Sequence, residues 1–359
     1  MSTQKQYDLA VVIGRFQPLH NGHERNIHIA RELADNVLVL VGSAFQPRTP
    51  KNPFTYEERK SFIYNVFLKN TYQLNPGFNI QPLRDYLYED TKWVAQVQHE
   101  IGHALIQNNL PDNAKVCIVG HDKDESTWYL RMFSIYSYYD TGSFVEDGEK
   151  PINATQLREL MFEGNYTLLK GAVHQETYQW LITKFFNSES YRIVKEEYDY
   201  IKAYKKAWSV APFPPTFNTV DAVVLQGGHV LLVQRGDSPG KGLWALPGGF
   251  LNPNETCIDG MIRELREETC LKVPEPVLRG SVTHKQRFDH PNRSLRGRTI
   301  TEAFLIELTD QKNGKLPRVK GDDDAVDAKW FPLSQIYNMS EQLFEDHHSI
   351  ISMLTARAR

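Results

Sequence analysis

The chain has 359 residues, more than one hydrophobic core usually holds, because such cores stop growing at roughly 250 to 300 residues. Its 41 Lys+Arg against 44 Asp+Glu give a net charge of -3 and no basic block suited to a nucleic-acid backbone, so small-molecule partners are expected rather than DNA or RNA. Three cysteines (Cys117, Cys257, Cys270) without zinc or disulfide spacing point to a reducing, cytoplasmic compartment, and no run approaches the roughly 18 apolar residues that span a bilayer, so no membrane partner is expected.

The first half alternates strand-like runs (Leu9 to Ile13, Val37 to Val41, Phe78 to Leu83, Val116 to Val119) with amphipathic helical patterns (Glu24 to Leu33, Tyr56 to Leu68, Trp93 to Ile106). That alternation implies an α/β domain with a parallel sheet and helical crossovers. Tyr178 to Phe186 and Tyr191 to Trp208 read as closing helices, and Pro212, Pro214 and Pro215 mark a linker. Beyond it, Val220 to Leu225 and Val230 to Gln234 flank Gln226-Gly-Gly-His229, a hairpin pattern that opens an α+β domain with one helix from Cys257 to Thr269. The expected organisation is a nucleotide-binding domain over 1–186, a helix and Pro-rich linker over 187–216, and a second catalytic domain over 217–359.

The first strand runs into Gly14-Arg-Phe-Gln-Pro-Leu-His-Asn-Gly-His23 and then a helix. His20 and His23, three apart at a helix start, with Gly22 letting the backbone approach, form a phosphate cradle where open α/β sheets bind nucleotides. The segment resembles the HxGH nucleotidyltransferase superfamily, and its wording is closest to archaeal-type nicotinamide mononucleotide (NMN) adenylyltransferases. Ile152-Asn-Ala-Thr-Gln-Leu-Arg158 fits that family's second motif, with Asn153 in place of serine. The resemblance implies a Rossmann-like fold, ATP and NMN as substrates, Mg²⁺, and in-line attack of the NMN phosphate on the ATP α-phosphorus.

It also implies roles for particular residues. His20, His23 and Arg158 are the catalytic candidates. Gly14, Arg15, Phe16, Gly22, Asn52, Arg59, Trp93, Gly120, Asp122, Lys123, Asp124 and Thr155 are the substrate-binding ones. Thr155 is expected to cap the helix that carries Arg158. Trp93 reads either as a stacking surface for nicotinamide or as core packing.

In the second domain, Arg263-Glu264-Leu-Arg-Glu267-Glu268 places carboxylates at i, i+3 and i+4, within about 100° of one another on a helix. Three like charges so close repel, and a hard divalent cation with oxygen ligands relieves them. With Pro247-Gly-Gly249 and Glu255 upstream, the pattern resembles the Nudix box except that Cys270 stands where the family has glycine, which puts the helix C-terminus in question. The resemblance implies a Nudix fold (α/β/α sandwich), Gly249, Glu264, Glu267 and Glu268 around Mg²⁺ or Mn²⁺, and catalytic roles for Arg263 and Glu267.

The flanking Gln234-Arg-Gly236 and Gln286-Arg-Phe-Asp-His-Pro-Asn-Arg-Ser-Leu-Arg-Gly-Arg298 look like ADP-ribose pyrophosphatases. Arg235, Arg293, Arg296 and Arg298 are the candidates for the substrate phosphates. Glu302 and Asp322 to Asp324 are further candidates for ligand or base, against the reading of an exposed acidic turn. The whole chain thus resembles a bifunctional NMN adenylyltransferase/Nudix hydrolase, which forms NAD in one domain and hydrolyses ADP-ribose in the other. The alternatives are a different acceptor for the first domain and an ADP-ribose or NAD sensor for the second. Family analogy points to a homodimer.

Overall fold

A computed structural model describes residues 5–69, 77–122, 127, 129–130, 132–142, 153–309 and 314–358. The chain divides into two compact units, Met1–Lys195 and Glu196–Arg359. Among the described residues no helix is long and apolar enough to cross a membrane.

The first unit comprises β1 (Tyr7–Gly14), α1 (Asn21–Leu33), β2 (Ala34–Ala44), α2 (Tyr56–Phe67), β3 (Phe78–Arg84), α3 (Asp90–Gln107), β4 (Val116–Gly120) and β5 (Ser137–Asp140). It continues with α4 (Ala154–Phe162), α5 (Tyr166–Ala172), α6 (Gln175–Trp180), a π-helical turn Leu181–Phe185 and the start of α7 (Glu189–Trp208). The sheet order is β3-β2-β1-β4-β5, all parallel.

Both faces are apolar because the strands alternate between two cores. Ala10, Val12, Val37, Val39, Cys117 and Val119 belong to the cluster that includes Ile27 of α1 and Phe62 of α2. Leu9, Val11, Leu38, Leu40, Val116 and Ile118 meet Val97 and Ile101 of α3 on the other side. The strand order reverses between β1 and β4, and that switch point opens a crevice at their carboxyl ends.

The second unit contains the rest of α7, then β6 (Thr216–Gln226), β7 (His229–Arg235), β8 (Trp244–Ala245), β9 (Gly248–Phe250), α8 (Cys257–Thr269) and α9 (Glu275–Gly280). There follow β10 (Val282–Phe288), β11 (Arg298–Glu307), β12 (Ala325–Pro332), α10 (Leu333–Ile336), a 3₁₀ turn Ser340–Gln342 and α11 (His347–Thr355). The mixed sheet runs β10-β11-β6-β7-β12, with β8 on β7 and β9 on β6; β6 and β11 are parallel and their neighbours antiparallel. The expected hairpin is present, with Gly227 and Gly228 at φ 53 and 71, values that favour glycine.

Helix α8 is amphipathic in the way its sequence demands. Met261, Ile262 and Leu265 pack on Val220, Ala222 and Val224 of β6. A capping box between Thr256 and Asp259 starts the helix. Cys270 ends it at φ 50 and ψ 26, the left-handed conformation that glycine takes most easily.

Two candidate nucleotide sites

In the first unit the chain leaves β1 at Gly14, turns through Phe16 at φ 51 and enters α1 behind His20. The Gln17 amide pins this loop by pairing with both backbone groups of Phe54, at 2.9 and 3.0 Å. The His20 and His23 rings stack with centroids 3.8 Å apart, and Phe16 lies 4.8 Å from His23. Both imidazoles therefore sit at the α1 N-terminus, where free N–H groups and the helix dipole favour an anion.

Arg158 comes to the same loop from α4. It donates to Gln17 O and Thr155 Oγ1, each at 3.0 Å. Burial lowers the Arg158 pKa to about 10, with Arg15 as the next cause. Lys51 is lowered as well, first by burial and then by Arg15, with Asp85 opposing. Among the described residues none of these three cations forms an ion pair with a carboxylate, so they gather positive charge that an anionic ligand would neutralise. Asn52 Oδ1 is buried there with no hydrogen-bond partner.

Lys51 was absent from the sequence-based candidates, although it directly precedes Asn52. Several expectations need correction. Asn153, not Thr155, caps α4: its side chain accepts from Thr155 N at 2.8 Å, which is how it substitutes for serine. Arg59 is 1% exposed and donates to the carbonyls of Arg15, Gly42, Ser43 and Thr55, so it shapes the loops instead of reaching a ligand. Trp93 packs edge-on against Tyr129 at 5.4 Å, beside Phe133.

Gly120 ends β4, where a Cβ would meet Leu130 at 3.2 Å. Asp122 accepts from the Thr127 hydroxyl at 2.8 Å, and Lys123 and Asp124 lie outside the described residues.

The second unit holds a cleft of about 770 Å³ bordered by Glu264, Glu268, Gly249, Arg235, Arg296 and Asp221. Arg263 organises one side. It donates to Glu255 at 2.6 and 3.0 Å, to Glu264 at 2.9 Å, to Glu267 at 2.9 Å and to Phe250 O at 3.3 Å. Its guanidinium hydrogen bonds hold the Glu255 carboxyl down at about 2.

Glu268 instead accepts from Gly248 N at 2.9 Å. Burial raises its pKa to about 8, with Glu264 as a further charge pushing it up. Glu264 is raised by burial too. A Cβ at Gly249 would lie 2.6 Å from Glu264 Oε1, so glycine lets the backbone come near the carboxylate where a side chain would displace it.

Among the described residues, no three His, Cys, Asp or Glu side chains are gathered as a ligand set. Arg263 holds Glu264 and the exposed Glu267 together while Glu268 turns to β9. Two carboxylates pressed into one cleft beside a bare backbone nonetheless suit a hard divalent ion, whose charge would oppose the burial and repulsion acting on them.

Arg235 donates to Pro239 O at 2.8 Å and lies 4.2 Å over the Phe344 ring. Arg296 lies 5.2 Å over Phe250. Arg293 also borders the cleft and forms a two-pronged pair with Asp346 at 2.8 and 2.9 Å, with side-chain exposures of 2% and 0%, so it ties the loop to α11. Arg298 donates to Asp289 O in its own loop.

The meeting of Asp221 with His347 at the cleft has no signal in the sequence. Asp221 accepts from the Thr301 hydroxyl at 2.5 Å and lies 3.8 Å from His347 Nε2. His347 Nδ1 accepts from Leu246 N at 2.8 Å, and burial pushes its pKa down to about 3, so the ring is neutral with its proton on Nε2. No spacing rule connects residues so far apart in the chain.

Fold and sites together define a nucleotidyltransferase-like domain followed by a Nudix domain. Residues 11–160 match the Cytidylyltransferase-like family and residues 215–354 the NUDIX domain family. The chain is 34% identical over 193 residues to a nicotinamide/nicotinic acid mononucleotide adenylyltransferase of Acinetobacter baylyi, covering 54% of this chain and 94% of that one. An ADP-ribose pyrophosphatase of Methanocaldococcus jannaschii is 33% identical over 132 residues, 37% of this chain and 69% of that one.

Over 98% of this chain and 99% of the other, the structure matches a bifunctional NMN adenylyltransferase/ADP ribose pyrophosphatase of Francisella tularensis, crystallised with AMP and a manganese ion, at 37% identity and a TM-score of 0.86. The chain belongs to the family of bifunctional NMN adenylyltransferase/ADP-ribose pyrophosphatases.

Proposed function

We propose that the first unit transfers AMP from ATP to NMN, giving NAD and pyrophosphate, and that the second hydrolyses ADP-ribose to AMP and ribose 5-phosphate. The junction between the two activities is assigned to residues 187–216. The observation that carries the reading is the presence in one chain of two opposite charge patterns: cations that form no ion pair with a carboxylate among the described residues, gathered by a helix N-terminus in the first unit, and a carboxylate helix facing a cleft in the second. Relatives named for these two activities match 54% and 37% of the chain, and the two family matches fall on residues 11–160 and 215–354.

In the first site an NMN phosphate oxygen bonds to the ATP α-phosphorus as the bond to the pyrophosphate oxygen breaks. No covalent enzyme intermediate is required. His20, His23 and the α1 N-terminus hold the α-phosphate, while Arg15, Lys51 and Arg158 neutralise the charge that collects on departing pyrophosphate. Gly14, Phe16 and Gly22 keep the loop close, and Asn52 offers its buried carbonyl oxygen to the acceptor nucleotide.

In the second site Glu264, Glu267, Glu268 and the backbone at Gly249 would hold a divalent ion, assigned as Mg²⁺ with Mn²⁺ as substitute. When bound, that ion polarises the diphosphate and water. Arg263 orders the carboxylates, the exposed Glu267 would accept the proton from water, and Arg235 and Arg296 offset the phosphate charge. Water adds to one phosphorus while the bridging P–O bond breaks.

Separate assays with Mg²⁺ test this. His20→Ala is expected to abolish NAD formation and spare ADP-ribose hydrolysis, and Glu267→Gln to do the reverse. Failure of the unmodified protein to form NAD from NMN and ATP overturns the first assignment, and failure to turn over ADP-ribose overturns the second.

A further inference from the structure

One wall of the second cleft comes from outside the matched Nudix span. Glu196 and Tyr200, one turn apart on α7, border the cleft, whereas the family match begins at residue 215.

Contacts at two points fix the course of this part of α7. Near its start the buried Glu197 accepts a hydrogen bond from Gly240 N at 3.1 Å, and Gly240 lies so close to the Phe344 ring that no Cβ fits. Further along, Tyr204 and Trp208 set ring edges against Phe217 at 5.7 and 5.2 Å, and Phe217 does the same to Phe250 at 5.9 Å. The helix therefore passes from the Phe344 side of the cleft to the Phe250 side, with Tyr200 between them.

Arg296 bridges the same two rings, 5.2 Å from the Phe250 centroid and 6.0 Å from that of Phe344. Tyr200 is 40% exposed and is backed by Tyr204, whose ring is 6.3 Å away and inclined by 29°. A tyrosine supported from behind and open towards a cleft that also holds a guanidinium over aromatic rings makes a stacking platform. Every nucleobase has a π-face for such a platform, and a guanidinium adds attraction to the ring.

We propose that Tyr200, together with Phe250 and Arg296, is the base-recognition wall of this cleft, stacking on the aromatic base of a nucleoside diphosphate derivative whose phosphates face Glu264 and Glu268. This rests on the reading of the cleft as a nucleoside-diphosphate hydrolase site. It makes a helix that precedes the hydrolase domain part of its specificity.

The test uses the full chain carrying Tyr200→Ala, Tyr200→Phe or Tyr200→Trp, with calorimetric titrations of AMP and of ribose 5-phosphate, and steady-state hydrolysis of ADP-ribose. Nucleotide binding in the first unit is the same in every variant, so differences between variants report the cleft. Tyr200→Ala is expected to weaken AMP about tenfold and raise KM for ADP-ribose by a similar factor, with kcat changed less than about twofold and ribose 5-phosphate unaffected. Tyr200→Phe and Tyr200→Trp are expected to retain binding.

Unchanged AMP affinity in Tyr200→Ala, or equal weakening of ribose 5-phosphate, overturns the wall. Absence of ADP-ribose turnover by the unmodified protein, with AMP binding still dependent on Tyr200, overturns the substrate reading and leaves the wall standing.

Discussion

Replacing Cys270 by glycine probes the one position where the chain departs from its family's box. Cys270 ends α8 at φ 50 and ψ 26, and a residue with a Cβ pays about 1 to 2 kcal/mol there relative to glycine. Glycine returns part of that, about 0.5 to 1 kcal/mol, through the greater freedom of the unfolded chain. The Cys270 thiol is also lost as a donor to Asp322 Oδ2, a long contact at 3.5 Å to an exposed carboxylate, which contributes little in water.

The net expectation is a gain of about 0.5 to 1 kcal/mol in the second unit, or roughly 1 to 4 °C in Tm for a domain of this size. The assay is thermal unfolding of the full chain, with the second unit's transition identified by loss of ADP-ribose hydrolysis. A Cys270→Ala control keeps the Cβ and should show no gain. If glycine lowers the midpoint, or alanine matches glycine, the left-handed cap is not the source of strain and the contact with Asp322 matters more than its geometry indicates.

Other substitutions address separate links between structure and activity. Lys51→Ala should raise KM for ATP in NAD formation by about tenfold or more, and Lys51→Arg should recover most of it, since a charge-assisted phosphate contact is worth about 1.5 to 3 kcal/mol; steady-state kinetics decide. Asp346→Ala should destabilise the second unit by about 3 to 5 kcal/mol by stranding buried Arg293, while an Arg293→Met/Asp346→Leu pair should cost much less, as read by urea unfolding.

Glu197, whose pKa burial raises to about 6, binds its proton more tightly in the folded state. Its effect is therefore favourable below about pH 4.5 and is lost as pH rises through about 6, by roughly 2 kcal/mol. Glu197→Gln should flatten that part of the stability profile and raise Tm at pH 8, and an unchanged profile refutes the assignment.

What the sequence disclosed depended on how local the signal was. Helix α8 was legible to the residue because its apolar positions and terminal residues all lie within one short segment, and the alternating cores of β1, β2 and β4 were legible from their continuous apolar runs. The edge strand β5 was not foreseen. Ser137–Asp140 is short and mostly exposed, so it carries no burial pattern, and its place follows from pairing with β4.

Arginines were the least legible residues. Arg59, Arg293 and Arg296 look alike in a chain of letters, yet one grips carbonyls, one is neutralised by Asp346 and one stays over two aromatic rings. A guanidinium's role depends on which acceptors the fold brings to it. Asp221 and His347 meet for the same kind of reason, through the pairing of β6 with β9 and the return of α11.

The two sites meet the same chemical problem, a diphosphate linked to adenosine, with opposite charges, and the direction of each reaction gives a reason. Forming the linkage from ATP leaves pyrophosphate as an anion of high charge, and fixed cations such as Arg15, Lys51 and Arg158 serve best when they need not move as that charge grows. Hydrolysing it requires water at phosphorus in a cleft already crowded by anionic oxygens. Arginines alone would bind the substrate but supply no base, whereas carboxylates can take up the proton once a divalent ion offsets their repulsion. Arg263 has a definite role in that arrangement, because its bonds to Glu255, Glu264 and Glu267 keep mutually repelling acids on one face of α8. Removing its charge should therefore lower both the metal affinity and the turnover of the hydrolase, and leave NAD formation intact.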